Sequence, residues 1–216
     1  YRDPLCPKTL YNMFTKAHKP ESIRVMVIQQ NDPDKDPDCL ETYCERMKKE
    51  GKDICPFRDQ VQIHQIYYKD ALGPMWARGI LSKDIEAAYE SNQISEQDFC
   101  MSIDSHMDYE PEFDRILVDM WDQAQNEYAV LSTYVTSTEE LGNYGKGNKQ
   151  VPHLCMVEFT LNVRVAATKC ANNLIKPKLT NAIFGAGLSF AKCHAELKNP
   201  VDPHSAHIFD GEEFNR

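Results

Sequence analysis

The sequence lacks any apolar run near the roughly 20 residues that a helix needs to cross a bilayer, so we expect no membrane-spanning segment in this chain. Positive charge is scarce, because 24 Lys and Arg face 33 Asp and Glu, giving a formal net charge of −9 over 216 residues. This balance argues against binding of nucleic acid by general electrostatic attraction. The absence of any C-x-x-C pair argues against a zinc ribbon.

Two polar stretches lack the residues that would make them ligand-binding loops. Asn31–Asp38 carries four aspartates but not the glycine turn and terminal glutamate of an EF-hand, so we expect a solvated loop. Thr138–Lys149 is glycine-rich, but its lysines are not followed by Ser or Thr, which favours a mobile loop over a phosphate-binding loop. The chain starts at Tyr1 and its pattern does not taper at the end, so we expect a single domain over 1–216 that is cut at the C-terminus.

The eight cysteines leave the redox compartment open. Cys100 and Cys155 stand in strand-like apolar runs, where we expect buried thiols. Cys39, Cys44 and Cys55 lie near polar sequence and could pair in an oxidising compartment, but reduced thiols fit equally well.

Apolar periodicity predicts alternating strands and helices, which is typical of an α/β sandwich with a mainly parallel sheet. The predicted strands are Ile23–Gln30, Val61–Tyr68, Phe99–Ile103, Ala129–Val135 and Leu154–Val165. The predicted helices are Thr9–Ala17, Leu40–Lys49, Met75–Ser91, Phe113–Tyr128 and Ala191–Lys198.

An acidic residue and a histidine follow the third predicted strand. In an extended segment, Asp104 and His106 would project from the same face and could reach one cation together. The carboxyl edge of an α/β sheet is also where such folds bind ligands. From the spacing alone, an ordinary surface turn after a core strand is favoured over a metal site.

Three other features are weaker candidates for ligand contact. Arg78 falls early in a predicted helix, where it would be either a solvated residue or a cation that meets a phosphate-bearing ligand. Gly185 and Gly187 could let the backbone approach a ligand closely, although two glycines alone are a weak signal. Histidines and carboxylates meet again from Asp202 onward.

An ordered series of short motifs runs through nearly the whole chain. It comprises Tyr1-Arg2-Asp3 with Cys6 and Thr9-Leu10, Gln29-Gln30, Gly73-Pro74 with Ala77-Arg78, Ile103-Asp104-Ser105-His106, Gly185-Ala186-Gly187 with Ser189-Phe190, Asp202-Pro203-His204, and Phe209-Asp210-Gly211-Glu212-Glu213. This series resembles glycosyltransferase family sixty, the N-acetylglucosaminyltransferases typified by the enzyme that modifies a hydroxyproline on a ubiquitin-ligase adaptor. More distantly, the chain is similar to the polypeptide N-acetylgalactosaminyltransferases, which share the D-x-H motif.

The resemblance implies a GT-A (Rossmann-like) nucleotide-sugar-binding sandwich. It implies transfer of GlcNAc or a related sugar from a UDP-sugar to a protein hydroxyl, with a divalent cation such as Mn²⁺ and retention of configuration. It favours the cytosol, with the secretory lumen as an alternative.

The resemblance also implies roles for individual residues. At the D-x-H motif it favours a metal site over the ordinary surface turn that the spacing alone favoured. Asp104 and His106 would hold the metal, with His204 or His207 as a third ligand. The residues implied at the donor are Gln30, Arg78, Asp104, Ser105, Gly185 and Gly187. Asp210, Glu212 and Glu213 match the acidic element that contacts the sugar or the acceptor hydroxyl. Two alternatives stay open: an inactive sugar-nucleotide-binding remnant, and a metal-dependent hydrolase or nucleotidyltransferase on the same scaffold.

Overall fold

The computed structural model describes residues 1–52, 54–133, 135–141, 150–159, 165–172, 176–179 and 184–209. By backbone contacts the chain divides into two compact units. Unit 1 comprises Tyr1–Leu72 and Ser105–Arg115, and unit 2 comprises Gly73–Asp104 and Ile116–Arg216. The chain therefore passes from unit 2 to unit 1 between Asp104 and Ser105, inside the D-x-H motif.

Unit 1 contains two helices and a pair of parallel strands. In chain order these are α1 (Cys6–Lys16), β1 (Val25–Asn31), α2 (Cys39–Lys49) and β2 (Val61–Tyr67). The strands pair from Val25 opposite Val61 to Asn31 opposite Tyr67. This parallel pairing confirms the strand predictions at Ile23–Gln30 and Val61–Tyr68.

The core of unit 1 forms where the apolar faces of α1 and α2 meet. Its buried members are Leu10, Phe14, Cys39, Tyr43, Met47 and Val61. Burial raises the pKa of the Tyr43 hydroxyl to about 12, which keeps it neutral while it donates to the Pro56 carbonyl at 3.0 Å. Disulfides Cys6–Cys39 and Cys44–Cys55 join neighbouring segments of this unit.

Unit 2 carries most of the remaining elements. They are α3 (Pro74–Glu90), β3 (Phe99–Ile103), α4 (Phe113–Gln123, whose first three residues belong to unit 1), β4 (Val130–Ser132), β5 (Gln150–Phe159), β6 (Val165–Asn172), β7 (Leu188–Lys192) and α5 (Cys193–Lys198). Among the described residues, no helix has the length and apolar character required to cross a membrane.

The sheet of unit 2 corrects the prediction of a mainly parallel arrangement. β7 lies between β3 and β4 and is antiparallel to both. β3 and β4 therefore point the same way, but they do not pair with each other. β5 and β6 form a separate antiparallel pair. The fold is mixed α/β, with parallel pairing shown only between β1 and β2 in the described part of the chain.

Several element boundaries differ from the sequence predictions. The predicted helix from Ala191 begins at Cys193, because Ala191 is a buried residue of the central strand β7. α4 ends at Gln123, not Tyr128, and Gln125 takes a positive φ of 50°. β4 covers only Val130–Ser132 of the predicted Ala129–Val135, and it pairs with the middle three residues of β7.

The prediction of a buried free thiol at Cys100 is wrong, because Cys100 forms a disulfide with Cys193. Their sulfurs meet because β3 and β7 are adjacent and Cys193 follows β7 directly. The sequence separation of 93 residues concealed this contact. The side chain of Cys155 lies outside the described part of the chain.

Candidate functional site

The carboxyl end of β3 forms a rim with the segment that leads into β7. Ile103 pairs with Leu188, so Asp104 and Gly187 lie side by side just beyond the paired residues. A Cβ atom built on Gly187 would lie 3.3 Å from Asp104 Oδ2. The Asp104 side chain keeps 41% of its surface exposed. Its carboxylate is therefore open to solvent at an edge of the sheet.

Arg78 reaches this rim from α3 and is largely buried, with 13% of its side chain exposed. Its guanidinium donates to Ser102 Oγ at 2.5 Å and to the Ala186 carbonyl at 3.0 Å. Nη2 also lies 3.5 Å from Asp104 Oδ1. Arg78 is thus not a solvated helix residue. It links α3, β3 and the approach to β7, and it places positive charge beside Asp104.

The two glycines before β7 are explained by close packing against the chain itself. The Gly185 N–H donates to Ser132 Oγ at 2.7 Å, and a Cβ atom on Gly185 would lie 3.1 Å from the Thr133 carbonyl group. Gly187 leaves room for the Asp104 carboxylate in the same way. Ligand contact by these glycines stays a prediction.

His106 lies in unit 1, in a turn after the strand, with 56% of its side chain exposed. Its Nδ1 lies 2.7 Å from Asp3 Oδ2. β3 ends at Ile103, as predicted, and Ser105 and His106 form a turn after it, so strand alternation does not describe these residues. The joint contact of Asp104 and His106 with one cation stays a prediction. Both side chains are accessible to solvent.

Asp3 receives three hydrogen bonds and had no role assigned from the sequence. Oδ2 accepts from Ser105 Oγ at 2.8 Å and contacts His106, while Oδ1 accepts from the Leu5 N–H at 2.8 Å. Burial alone would raise the pKa of Asp3, but the hydrogen bonds from Leu5, His106 and Ser105 outweigh it and hold that pKa below its usual value. The Ser105 side chain is exposed and donates to Asp3.

The turn that carries His106 is anchored to α1 by buried Thr9. Thr9 Oγ1 lies 2.7 Å from the Ser105 carbonyl and 3.2 Å from the Met107 carbonyl, and it accepts from the Met107 N–H at 2.9 Å. From the sequence, Thr9 was the first residue of a predicted helix and a member of the motif series, but it had no assigned role. These contacts fix the backbone on both sides of His106.

Gln30 lies near the carboxyl end of β1 and is buried. Its carbonyl accepts from the Arg2 N–H at 2.8 Å. Arg2 in turn forms two hydrogen bonds with Asp36, at 2.7 and 2.9 Å, and stacks over the Tyr68 ring at 4.8 Å. The predicted contact between Gln30 and a uracil or ribose remains a prediction.

The remaining candidates lie toward the end of the chain. His204 is 89% exposed, and its Nδ1 lies 2.9 Å from Asp202 Oδ1. His207 has a positive φ of 61° and packs its backbone against Gly73. Asp210, Glu212 and Glu213 lie outside the described residues. Within the described ranges, no group of three or more His, Cys, Asp or Glu side chains is arranged to hold a metal ion.

Comparison with known families bears on these residues. The family model described as Glycosyltransferase (GlcNAc) matches residues 1–53 and 39–215, which together cover nearly the whole sequence. The chain belongs to this family. No curated protein and no solved structure matches it. The predicted relation to GlcNAc glycosyltransferases is therefore confirmed at the family level, while family sixty, the GT-A fold and the donor remain predictions for this glycosyltransferase.

Proposed function

We propose that this glycosyltransferase transfers GlcNAc from UDP-GlcNAc to a protein hydroxyl, with retention of configuration at the anomeric carbon. The family match over residues 1–53 and 39–215 carries the proposal. The exposed Asp104 carboxylate and the exposed, hydrogen-bonded His106 imidazole support it.

The donor atoms of Asp104 and His106 fit a divalent cation such as Mn²⁺, which accepts carboxylate oxygen and imidazole nitrogen. Chain connectivity alone keeps Cα atoms two residues apart within roughly 7 Å of each other. We assign these two residues as ligands and exposed His204 as the candidate third. When bound, the cation would offset the charge that the diphosphate gains as the donor bond breaks.

The other residues are assigned by the same proposal. Arg78 adds positive charge next to Asp104, where donor phosphates would be held. We assign Gln30 and Ser105 to contacts with the uridine of the donor. At Gly185 and Gly187, the absence of a side chain would let the backbone lie close to the donor. In the transfer, the bond from the anomeric carbon to phosphate breaks and a bond to the acceptor oxygen forms.

The acceptor hydroxyl must also lose its proton in this reaction. Asp210, Glu212 and Glu213 form the acidic element that we assign next to the sugar and the acceptor hydroxyl. One of these carboxylates, or the departing phosphate, takes the proton.

Release of UDP from UDP-GlcNAc, with and without Mn²⁺, tests the transferase. We expect Asp104→Asn and His106→Ala to lower turnover at least tenfold, because changes at or next to the ligands of a metal site commonly cost 10–100-fold. Asp34→Asn and His18→Ala are matched controls at residues with no assigned role and should retain activity. Equal activity of all four variants would refute the assigned site.

The alternatives give different results in the same experiment. Thermal stabilisation by UDP with Mn²⁺, without UDP release from any UDP-sugar, would indicate a binding remnant. UDP release with free sugar and no labelled acceptor protein would indicate a hydrolase. A panel of UDP-sugars identifies the donor, and the product's anomeric coupling in NMR tests retention.

We also propose that this glycosyltransferase acts in an oxidising compartment. Six of the eight cysteines pair as Cys6–Cys39, Cys44–Cys55 and Cys100–Cys193. Disulfides persist mainly in the secretory pathway and outside the cell. This favours the secretory lumen over the cytosol that the family resemblance had suggested. Mass spectrometry of the protein from its native source, after thiol alkylation without reduction, tests it, since alkylation of these six cysteines would contradict the pairing.

A further inference from the structure

The contact between Asp3 and His106 determines which nitrogen of the imidazole is free. Asp3 is 19% exposed, its Oδ2 lies 2.7 Å from His106 Nδ1, and an ionised carboxylate only accepts hydrogen bonds. Neutral His106 must therefore carry its proton on Nδ1. The lone pair is then on Nε2.

We propose that Asp3 is a positioning residue that fixes the Nδ1–H tautomer of His106 and directs Nε2 to the metal. This inference rests on the proposed function, because it assumes that His106 is a ligand. Metal-bound histidines commonly donate their other N–H to a carboxylate in this way, which raises ligand basicity and orients the ring.

The surroundings of Asp3 make its orientation rigid. Oδ1 is held by the Leu5 N–H at the start of α1, and Oδ2 also accepts from Ser105 Oγ. Thr9 holds the backbone next to His106. Asp202 contacts His204 similarly, but that pair is two residues apart and highly exposed, so it is not held by a second element.

Asp3→Asn separates tautomer control from simple support of the fold. The amide oxygen of the substituted side chain would keep the Leu5 hydrogen bond, which turns the amide NH₂ toward His106. An NH₂ group donates, so Nδ1 would become the acceptor and the proton would move to Nε2. The variant thus keeps the shape of the side chain but blocks the nitrogen proposed to bind metal.

Two measurements test the proposal. Nitrogen-15 NMR of histidine-labelled, metal-free protein should show the Nδ1–H tautomer for His106 in the wild type and the Nε2–H tautomer in Asp3→Asn. Mn²⁺ titration monitored by electron paramagnetic resonance should show Kd raised about 10–100-fold in Asp3→Asn. The control Asp34→Asn makes the same acid-to-amide change at a residue with no assigned role, and it should change Kd less than about threefold.

The outcomes are distinguishable from failure of the proposed function. Wild-type protein that binds no Mn²⁺ would refute the metal site, while the tautomer measurement still decides the role of Asp3. Mn²⁺ binding lost in His106→Ala but unchanged in folded Asp3→Asn would overturn the inference alone. An Nε2–H tautomer in the wild type would overturn it even if Asp3→Asn failed to fold.

Discussion

Replacing Arg78 with methionine removes a buried guanidinium while keeping an unbranched side chain of moderate length. The guanidinium donates to Ser102 Oγ at 2.5 Å and to the Ala186 carbonyl at 3.0 Å. Ala186 is itself buried, so water cannot readily replace the lost donor. We therefore expect Arg78→Met to destabilise unit 2 in the absence of any ligand.

The size of the loss follows from these contacts. A hydrogen bond from a charged donor contributes about 1.5–3 kcal/mol. The 3.5 Å pair with half-exposed Asp104 adds about 0–1 kcal/mol. Removing the charge also removes its desolvation cost, which offsets part of this sum. We expect a net loss of about 3 kcal/mol in the free energy of unfolding.

Arg78→Lys tests the geometry of the donor group. Lysine keeps the charge, but its single ammonium lacks the planar fork that reaches two acceptors. We expect a loss of about half that of the methionine variant, roughly 1.5 kcal/mol. A larger loss than in Arg78→Met would contradict this reasoning.

Urea denaturation of ligand-free protein measures these differences. Arg115→Met is the matched control, because Arg115 pairs with Glu112 at an exposed site and should cost less than about 1 kcal/mol. In a Ser102→Ala background, Arg78→Met should cost about 1 kcal/mol less, since one acceptor is already gone. Equal losses for Arg78→Met and Arg115→Met would refute the buried link.

Three further predictions concern stability. Loop-entropy estimates predict that breaking Cys100–Cys193 costs about 4.6 kcal/mol and breaking Cys44–Cys55 about 2.8 kcal/mol, because their separations are 93 and 11 residues. Paired serine variants in urea test this, and a reversed order would contradict it. Gly79→Ala should lower the free energy of unfolding by about 1–3 kcal/mol, since its Cβ would lie 2.5 Å from Pro203 Cα. The control Gly51→Ala has open space for its Cβ, so only the positive φ of Gly51 disfavours it. Equal losses would rule out the steric cause. Burial would raise the pKa of Asp114, but backbone hydrogen bonds led by those from His18 and Lys19 outweigh it and lower that pKa. The ionised carboxylate therefore stabilises the folded state above the unfolded pKa near 4. This stabilisation disappears as pH falls through the folded pKa. Asp114→Asn should lose less stability than wild type in acid denaturation below about pH 4, and parallel curves would contradict this.

Most individual elements follow from local sequence. The apolar run Ile23–Gln30 and the alternation in Val61–Tyr68 correspond to β1 and β2, and Gly73-Pro74 correctly marks the start of α3. These patterns work because side-chain periodicity is a property of neighbouring residues. The position of Asp104 directly after β3 was predictable for the same reason.

The partners of these elements depended on tertiary structure. Insertion of β7 between β3 and β4, the Cys100–Cys193 disulfide and the burial of Arg78 all join residues more than 20 positions apart. Asp3 likewise meets His106 across 103 positions. Local patterns show which face of an element is apolar, but many distant segments could pack against that face. Only the packed chain determines which segment lies there. That packing also determines the charges and hydrogen-bond donors around each candidate residue.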